Sequence, residues 1–162
     1  QPRSRGLGDV YKRQIVIHGK KVCGILTEMS TQMDYINYIV IGIGINVQNE
    51  SFPEEIREVA TSLRIESGKK QKRAAIIEAV WEEFEKYYDI YLKTEDMQGL
   101  VGEYDQKLAN MNKQVRVLDP KDPYEGTARG ITPKGELIVD TWEARKLVSS
   151  GEVSVRGLYG YV

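Results

Sequence analysis

Residues 38–47 have the sequence Tyr-Ile-Val-Ile-Gly-Ile-Gly-Ile-Asn-Val, an apolar run interrupted by two glycines and closed by an asparagine. The apolar positions are too continuous for a strand with one wet face, so the run predicts a central β-strand buried on both faces. It is too short to cross a bilayer as a helix, which takes about 20 residues. Residues 1–14 are charged where a signal peptide needs an apolar segment, and we therefore expect a cytoplasmic protein without a membrane span.

The residues around this run predict a hairpin and two helices. Residues 15–18 and 22–30 predict paired strands with a turn at 19–21. Pro53 precedes acidic residues and favours a short helix over 53–60, followed by a connection at 61–68. Helices are expected over 70–93 and 97–108. The first has an aromatic stripe that should pack on the sheet; its members are Ile77, Val80, Trp81, Phe84, Tyr88, Tyr91 and Leu92.

The last third of the chain predicts a different architecture. Short strand patterns with turn signals between them occupy 114–118, 124–131, 136–140, 145–148 and 153–156. Short antiparallel strands at this spacing indicate a small SH3-like β-barrel, with a boundary near 110–113. The fold class is therefore α+β.

The glycines of the opening run do not belong to a nucleotide-binding fingerprint. Val47 stands where a dinucleotide-binding motif needs its third glycine, and Lys70 stands where a P-loop after Gly68 needs serine or threonine. Two interpretations remain. Gly42 and Gly44 leave a bare backbone for a flat ligand beside the Asn46 amide, or they form a bulge at a helix contact while Asn46 caps a turn.

Lys21 opens the second strand, ahead of Gly24, Leu26 and Glu28, which alternate onto one face and could line a site. Its ammonium either neutralises a carboxylate or phosphate at a site on that face or is simply solvated. The one cysteine, Cys23, and the one histidine, His18, cannot form an internal disulfide or a Cys/His zinc site, and neither has a nucleophile's partner, so both are expected to be structural. The formal net charge of -1 argues against a duplex-DNA reader built on phosphate contacts.

Several blocks taken together resemble the bacterial biotin protein ligases. They are KKVCGILTEMS at 20–30, YIVIGIGINV at 38–47, FPEEI at 52–56, ATSL at 60–63 and SGEVSVRGLYGYV at 150–162. The resemblance covers nearly all of 15–162. It implies part of a catalytic core like that of class II aminoacyl-tRNA synthetases over 15–111, followed by an SH3-like domain over 112–162.

The resemblance also implies a reaction, substrates and site residues. Biotin and ATP, with Mg²⁺, would form biotinyl-adenylate, which biotinylates a lysine of the biotin carboxyl carrier protein, a subunit of acetyl-CoA carboxylase or a related carboxylase. Lys21 matches the catalytic lysine, and no residue is predicted as a metal ligand. Biotin-pocket positions are matched by Lys21, Gly24, Leu26 and Gly42, adenylate positions by Gly42, Gly44 and Asn46, and ATP or carrier contacts by Glu152 and Arg156.

The chain also departs from the family pattern. It lacks the Gly-Arg-Gly-Arg-Arg-Gly loop and the Lys-Trp-Pro-Asn-Asp motif expected directly before Ile15, where residues 1–14 form a basic segment typical of a foreign or artefactual tail. A natural, frayed tail is the alternative. We therefore expect a truncated ligase with little or no activity of its own. A binding module, with a homodimer through the sheet edge, and a biotin-sensing repressor whose longer form has a DNA-binding helix-turn-helix remain alternatives.

Overall fold

A computed structural model describes residues 13–32 and 35–149, together with the backbone of 154–157. These residues form two compact units, which divide between Gln71 and Lys72. The domain boundary predicted between 111 and 112 is a different position from this division, and it stays a prediction. The predicted tail over 1–14 lies outside the described residues except for its last two.

The first unit, from Arg13 to Gln71, is built on a three-stranded antiparallel sheet. Its strands are β1 (Gln14–Ile17), β2 (Lys20–Gln32) and β3 (Tyr35–Ile45), in the order β1-β2-β3. The predicted hairpin is present, with its turn at His18 and Gly19 rather than at 19–21. Both residues have positive φ angles, 50° and 77°, as a tight two-residue hairpin turn requires.

The position of β3 differs from the prediction. It is an edge strand of the described sheet, and its residues from Tyr35 to Gly44 are exposed. Continuous apolar sequence indicates a strand that favours burial on both faces. The described residues place only β2 beside it and leave its apolar side chains exposed, so the predicted central strand was wrong for this structure.

Two further predictions between β3 and Gln71 were wrong. Residues 53–60 form successive turns rather than a helix, because their backbone bonds form two short groups that accept at Pro53 and at Ile56. The expected connection contains a helix, α1 (Leu63–Ser67). Ser62 caps its first turn and Gly68 ends it in the left-handed conformation, which are standard helix boundary signals.

The second unit begins with the two predicted helices, α2 (Arg73–Thr94) and α3 (Val101–Lys107). The aromatic stripe of α2 was expected to be buried, but no residue of α2 is buried and Trp81 is 62% exposed. The stripe rings instead contact one another; Phe84 and Tyr88 stack with centroids 5.6 Å apart. No described helix is long and apolar enough to span a membrane.

The five predicted C-terminal strands are all present. They are β4 (Gln114–Leu118), β5 (Tyr124–Ile131), β6 (Leu137–Asp140), β7 (Arg145–Val148) and β8 (Ser154–Gly157). The antiparallel order is β7-β6-β5-β4-β8, so the described sheet is open between β7 and β8 instead of closing as a barrel. Its core consists of alternating inward residues, namely Val115, Val117, Ala128, Leu137, Val139 and Val148.

Candidate functional site

The register of β2 and β3 brings four of the predicted site residues onto one face. Gly24 pairs with Gly44, and Leu26 pairs with Gly42. Directly paired residues of antiparallel strands have their side chains on the same face, and alternate residues share it. Three glycines therefore leave a patch of bare backbone beside the Leu26 side chain, which is 56% exposed.

The bulge interpretation of these glycines is not supported. A Cβ atom on Gly42 would meet only Leu26, at 3.7 Å from its carbonyl oxygen, and one on Gly44 would meet only the Gly24 carbonyl oxygen at the same distance. Both contacts are to the neighbouring strand rather than to a helix. The bare patch is open, as a surface for a flat ligand requires.

Lys21 lies against this patch. A Cβ atom on Gly24 would lie 3.3 Å from both Cε and Nζ of Lys21, so the lysine chain passes over the space that the glycine leaves. Among the described residues, no hydrogen bond or ion pair engages the Lys21 ammonium. By contrast, Lys20 donates to the Arg57 carbonyl oxygen at 3.2 Å. The structure thus places an unpaired cation beside the glycine patch.

The backbone of Lys21 is bonded to the segment before α1. Its N–H donates to the Val59 carbonyl oxygen, and its own carbonyl accepts from the Thr61 N–H, each at 2.8 Å. These bonds form a parallel bridge between Lys21 and Ala60 in addition to the pairing with β1. The start of the lysine side chain is therefore fixed on both sides.

Asn46 follows β3 and is also well anchored. Its backbone N–H donates to the Val22 carbonyl oxygen at 2.8 Å, and its side-chain Nδ2 donates to the Thr61 carbonyl oxygen at 3.1 Å. Its backbone carbonyl accepts from the Leu63 N–H at the start of α1. Within the described part of the chain, Oδ1 makes no hydrogen bond and is available to a ligand.

Three residues in this region were not singled out from the sequence. Thr61 and Ser62 are the buried polar residues of the described chain, and Glu66 of α1 accepts hydrogen bonds from the Thr61 hydroxyl and from His18 Nδ1, the latter at 2.7 Å. The Thr61 bond, followed by the His18 bond, holds the pKa of Glu66 below its ordinary value. A Thr-Ser pair directly before a helical Leu-Arg-Ile-Glu turn is the signal that could have found them.

Cys23 behaves as a structural residue. It is 2% exposed, and burial raises the pKa of its thiol although the nearby Lys21 charge opposes that rise. A protonated, buried thiol is inert as a nucleophile. His18, at the hairpin turn, forms its contact with the Glu66 carboxylate.

The side chains of the two site residues predicted near the C-terminus are not among those that the structure describes. Glu152 lies outside the described residues, and only the backbone of Arg156 is described, in β8 opposite Arg116 of β4. The described side chains contain no group of three or more His, Cys, Asp or Glu that could hold a metal ion. The roles predicted for both residues stay predictions.

Comparison with known proteins gives three findings. Residues 111–156 match the family described as biotin protein ligase C terminal domain. Two curated relatives named bifunctional ligase/repressor BirA match over 147 residues, or 90% of this chain: that of Bacillus spizizenii is 34% identical and that of Bacillus subtilis 33%. The chain spans 45% of the length of each.

Solved structures agree with these relatives. The apo biotin protein ligase of Aquifex aeolicus matches with a TM-score of 0.76 and 28% identity, over 89% of this chain and 62% of that one. The same enzyme in complex with biotin and ATP matches with a TM-score of 0.74, over 89% and 59% of the two chains. By sequence and by fold, the chain is similar to the BirA-type biotin protein ligases.

Proposed function

We propose that the protein is an ATP-dependent biotin ligase and that the β2–β3 face carries part of its adenylation site. In the first step, a biotin carboxylate oxygen attacks the α-phosphorus of ATP and pyrophosphate leaves. In the second, the neutral amine of a carrier-protein lysine attacks the acyl carbon of biotinyl-adenylate, AMP leaves, and the amine gives up a proton as the amide forms. The relatives' names and the biotin and ATP complex support this proposal.

The unpaired Lys21 ammonium is the observation that carries the proposal. The first step brings a carboxylate and a polyphosphate together, and their repulsion has to be offset by positive charge at the reacting atoms. A lysine without an ion-pair partner, lying across a glycine beside an open face, has its full charge available for this. A lysine already paired with a carboxylate would not.

The rest of the face suits the two ligands. Bare backbone at Gly42 and Gly44 accepts the planar ureido ring of biotin or the adenine of its adenylate, and Leu26 supplies an apolar wall for the biotin valeryl chain. The free Oδ1 of Asn46 is an acceptor for the nucleotide part, while Thr61 holds the amide in place. We assign these residues to binding and orientation, and Lys21 to charge stabilisation.

Mg²⁺ stays a prediction without assigned ligands. The ion prefers carboxylate and phosphate oxygens, and the described side chains contain no group of three or more His, Cys, Asp or Glu that could hold it. The residues present do not by themselves fit a protein-held magnesium site, so none of the roles assigned above depends on the ion. The cytoplasmic location and the carrier protein as partner are likewise part of the proposal.

We expect the 162-residue chain to bind these substrates weakly. Small-molecule sites bury about 70–90% of a ligand's surface. The described face is open, with Leu26 and the residues of β3 exposed, so one side of a bound biotin would stay in water. Ligase activity is therefore proposed for a protein in which this face is covered.

The test is biotin-dependent exchange of labelled pyrophosphate into ATP, measured in this chain and in any longer product of its gene. In the longer product, Lys21→Ala should lower the exchange rate by about 100-fold or more, the size of losing one stabilising charge. Lys20→Ala is the matched control and should stay near the parent rate, because Lys20 donates to the Arg57 carbonyl. Equal rates for Lys21→Ala and the parent would remove Lys21 from the mechanism, and robust exchange by the 162-residue chain would refute the expectation of weak activity.

A second candidate is a binding or dimerisation module. It is favoured by the exposed β3, which has an unpaired edge within the described sheet and is lined by apolar side chains. Tight binding of the carrier protein that does not respond to biotin or ATP would favour it, and sedimentation would detect a homodimer. The relatives' names also include a repressor role, for which DNA binding by a longer gene product is the test.

A further inference from the structure

Thr61 is a fully buried polar residue whose polar groups are all engaged. Its side chain and backbone are 1% exposed. The backbone N–H donates to the Lys21 carbonyl oxygen at 2.8 Å, the backbone carbonyl accepts from Asn46 Nδ2 at 3.1 Å, and the hydroxyl donates to the Glu66 carboxylate. Burying such polar groups costs free energy unless each is hydrogen-bonded, and in Thr61 each group has a partner.

These bonds connect the two polar residues of the candidate site. Lys21 lies on β2 and Asn46 directly follows β3; no hydrogen bond joins these two described residues, yet each is bonded directly to Thr61. Thr61 therefore links the lysine backbone to the asparagine side-chain amide, in addition to the bond from the Asn46 backbone N–H to the Val22 carbonyl oxygen. A shift of Thr61 would move both partners together.

The hydroxyl adds a side-chain anchor to the two backbone bonds of Thr61. Its acceptor, Glu66, lies on α1, whose first N–H groups bond to the carbonyls of Asn46 and Val47. A hydrogen bond to a carboxylate is stronger than one between neutral groups. The carboxylate also accepts from His18 at the β1–β2 turn, so Glu66 ties Thr61 to both α1 and the hairpin.

We propose that Thr61 is a positioning residue of the adenylation site, which holds the backbone of Lys21 and the side-chain amide of Asn46 at the spacing that the reacting groups require. This inference rests on the proposed function. The Thr61 side chain contacts neither ligand; it acts through the two residues bonded to its backbone. Valine at this position keeps the shape and both backbone groups but loses the hydroxyl, whereas serine keeps the hydroxyl.

The test compares Thr61→Val and Thr61→Ser in the 162-residue chain by NMR. We expect amide hydrogen exchange at Lys21 and Thr61 to become about tenfold faster in Thr61→Val, the effect of losing one charge-assisted bond. The Asn46 side-chain amide signals should move toward free-amide positions. Thr61→Ser should restore both. The Ile25 amide, bonded to the Arg13 carbonyl in the same sheet, reports general loosening and should not change.

Ser67→Ala is the matched control for removing a hydroxyl near α1. Ser67 donates to the Leu63 carbonyl oxygen at 2.6 Å and is not bonded to Lys21 or Asn46, so their signals should not move. Unchanged signals at Lys21 and Asn46 in Thr61→Val would overturn the proposal. Equal acceleration at Ile25 would also overturn it, since that indicates a merely structural role.

A titration with ATP separates this proposal from the proposed function. If the site is an adenylation site, ATP moves the Lys21 and Asn46 signals of the parent chain, and the response at Asn46 is smaller in Thr61→Val and restored in Thr61→Ser. If ATP at saturating concentration moves neither signal in the parent chain, the proposed function fails at this face. The exchange measurement still decides whether Thr61 couples the two residues.

Discussion

At Gly24, the missing side chain leaves space that the Lys21 side chain occupies. The Lys21 Cε and Nζ atoms lie 3.3 Å from the place a Cβ atom would occupy, on the face that Gly24 shares with Gly42 and Gly44. The Lys21 ammonium thus lies in space that a side chain at residue 24 would reach. Its availability follows from the lack of an ion-pair partner among the described residues.

A second residue-scale property is acid sensitivity of the C-terminal unit at Asp140. Arg145 Nε donates to Asp140 Oδ1 at 2.7 Å and Arg129 Nε to Oδ2 at 3.3 Å. The Arg145 bond first, with its charge, and then Arg129 hold the pKa of Asp140 below its ordinary value. A carboxyl with a lowered pKa in the folded state contributes stability above its unfolded pKa of about 4, and that contribution is lost as pH falls through the folded value.

We therefore predict that Asp140→Asn flattens the loss of stability of the C-terminal unit below about pH 4. The measurement is the urea midpoint at a series of pH values from neutral to strongly acidic. Asp89→Asn is the matched control, because the Asp89 side chain forms no hydrogen bond or ion pair in the described structure. Identical pH profiles for Asp140→Asn and the parent would refute the contribution of Asp140.

At the scale of elements, α3 and β5 meet through a glycine and a carboxylate. Asp105 of α3 accepts from the Ile131 N–H at 3.0 Å, and a Cβ atom on the preceding Gly130 would overlap the same carboxylate. Gly130 also has a φ of +106°, which side chains other than glycine rarely adopt. Glycine at position 130 therefore allows the Asp105 carboxylate of α3 to approach β5 closely enough to bond.

We predict that Gly130→Ala destabilises the C-terminal unit by about 1–3 kcal/mol, since alanine adds both backbone strain and an overlap. Urea unfolding, followed by circular dichroism, measures the change. Gly102→Ala in α3 is the control: a Cβ atom there meets nothing within 4 Å, and alanine should stabilise the helix by up to about 1 kcal/mol. Equal stability of the two variants would contradict this account.

At the scale of the whole molecule, burial is distributed unevenly. The C-terminal sheet has a contiguous core in which Val115, Val117 and Val139 are fully buried. In the first unit, burial is concentrated around Val22, Cys23, Val47 and the Thr61–Ser62 pair, while β3 is exposed along nearly its whole length. Exposed strands with few buried neighbours open with little free energy.

We predict that native-state hydrogen exchange of the 162-residue chain is slowest for amides of β4, β5 and β6 and fastest, among the strands, for β3. The measurement is exchange mass spectrometry of peptides from each strand. The β2 peptide that contains Cys23 is the internal comparison, because its buried residues predict intermediate protection. Protection of β3 that equals or exceeds that of β4 would show that β3 is covered in solution.

The sequence by itself was sufficient wherever the deciding interaction is local. The β1–β2 hairpin, α2, α3 and the five C-terminal strands follow from hydrophobic periodicity and turn residues, and the blocks around Lys21, Gly42 and Asn46 were sufficient to indicate the ligase family. Helix α1 has local signals too, at Ser62 and Gly68, although its short length makes them weak. The glycines and Asn46 could also be singled out, because their alternation places them on one face of a strand.

Only the tertiary structure decided what covers an element and what each polar group bonds to. The apolar sequence of β3 expresses a preference for burial, but burial depends on atoms contributed by other parts of a fold, and in the described residues β2 is its sole neighbour in the sheet. The open edge between β7 and β8 has the same origin. The role of Thr61 arises from partners 40, 15 and 5 positions away, and a pattern over neighbouring residues carries no information about contacts that chain folding creates.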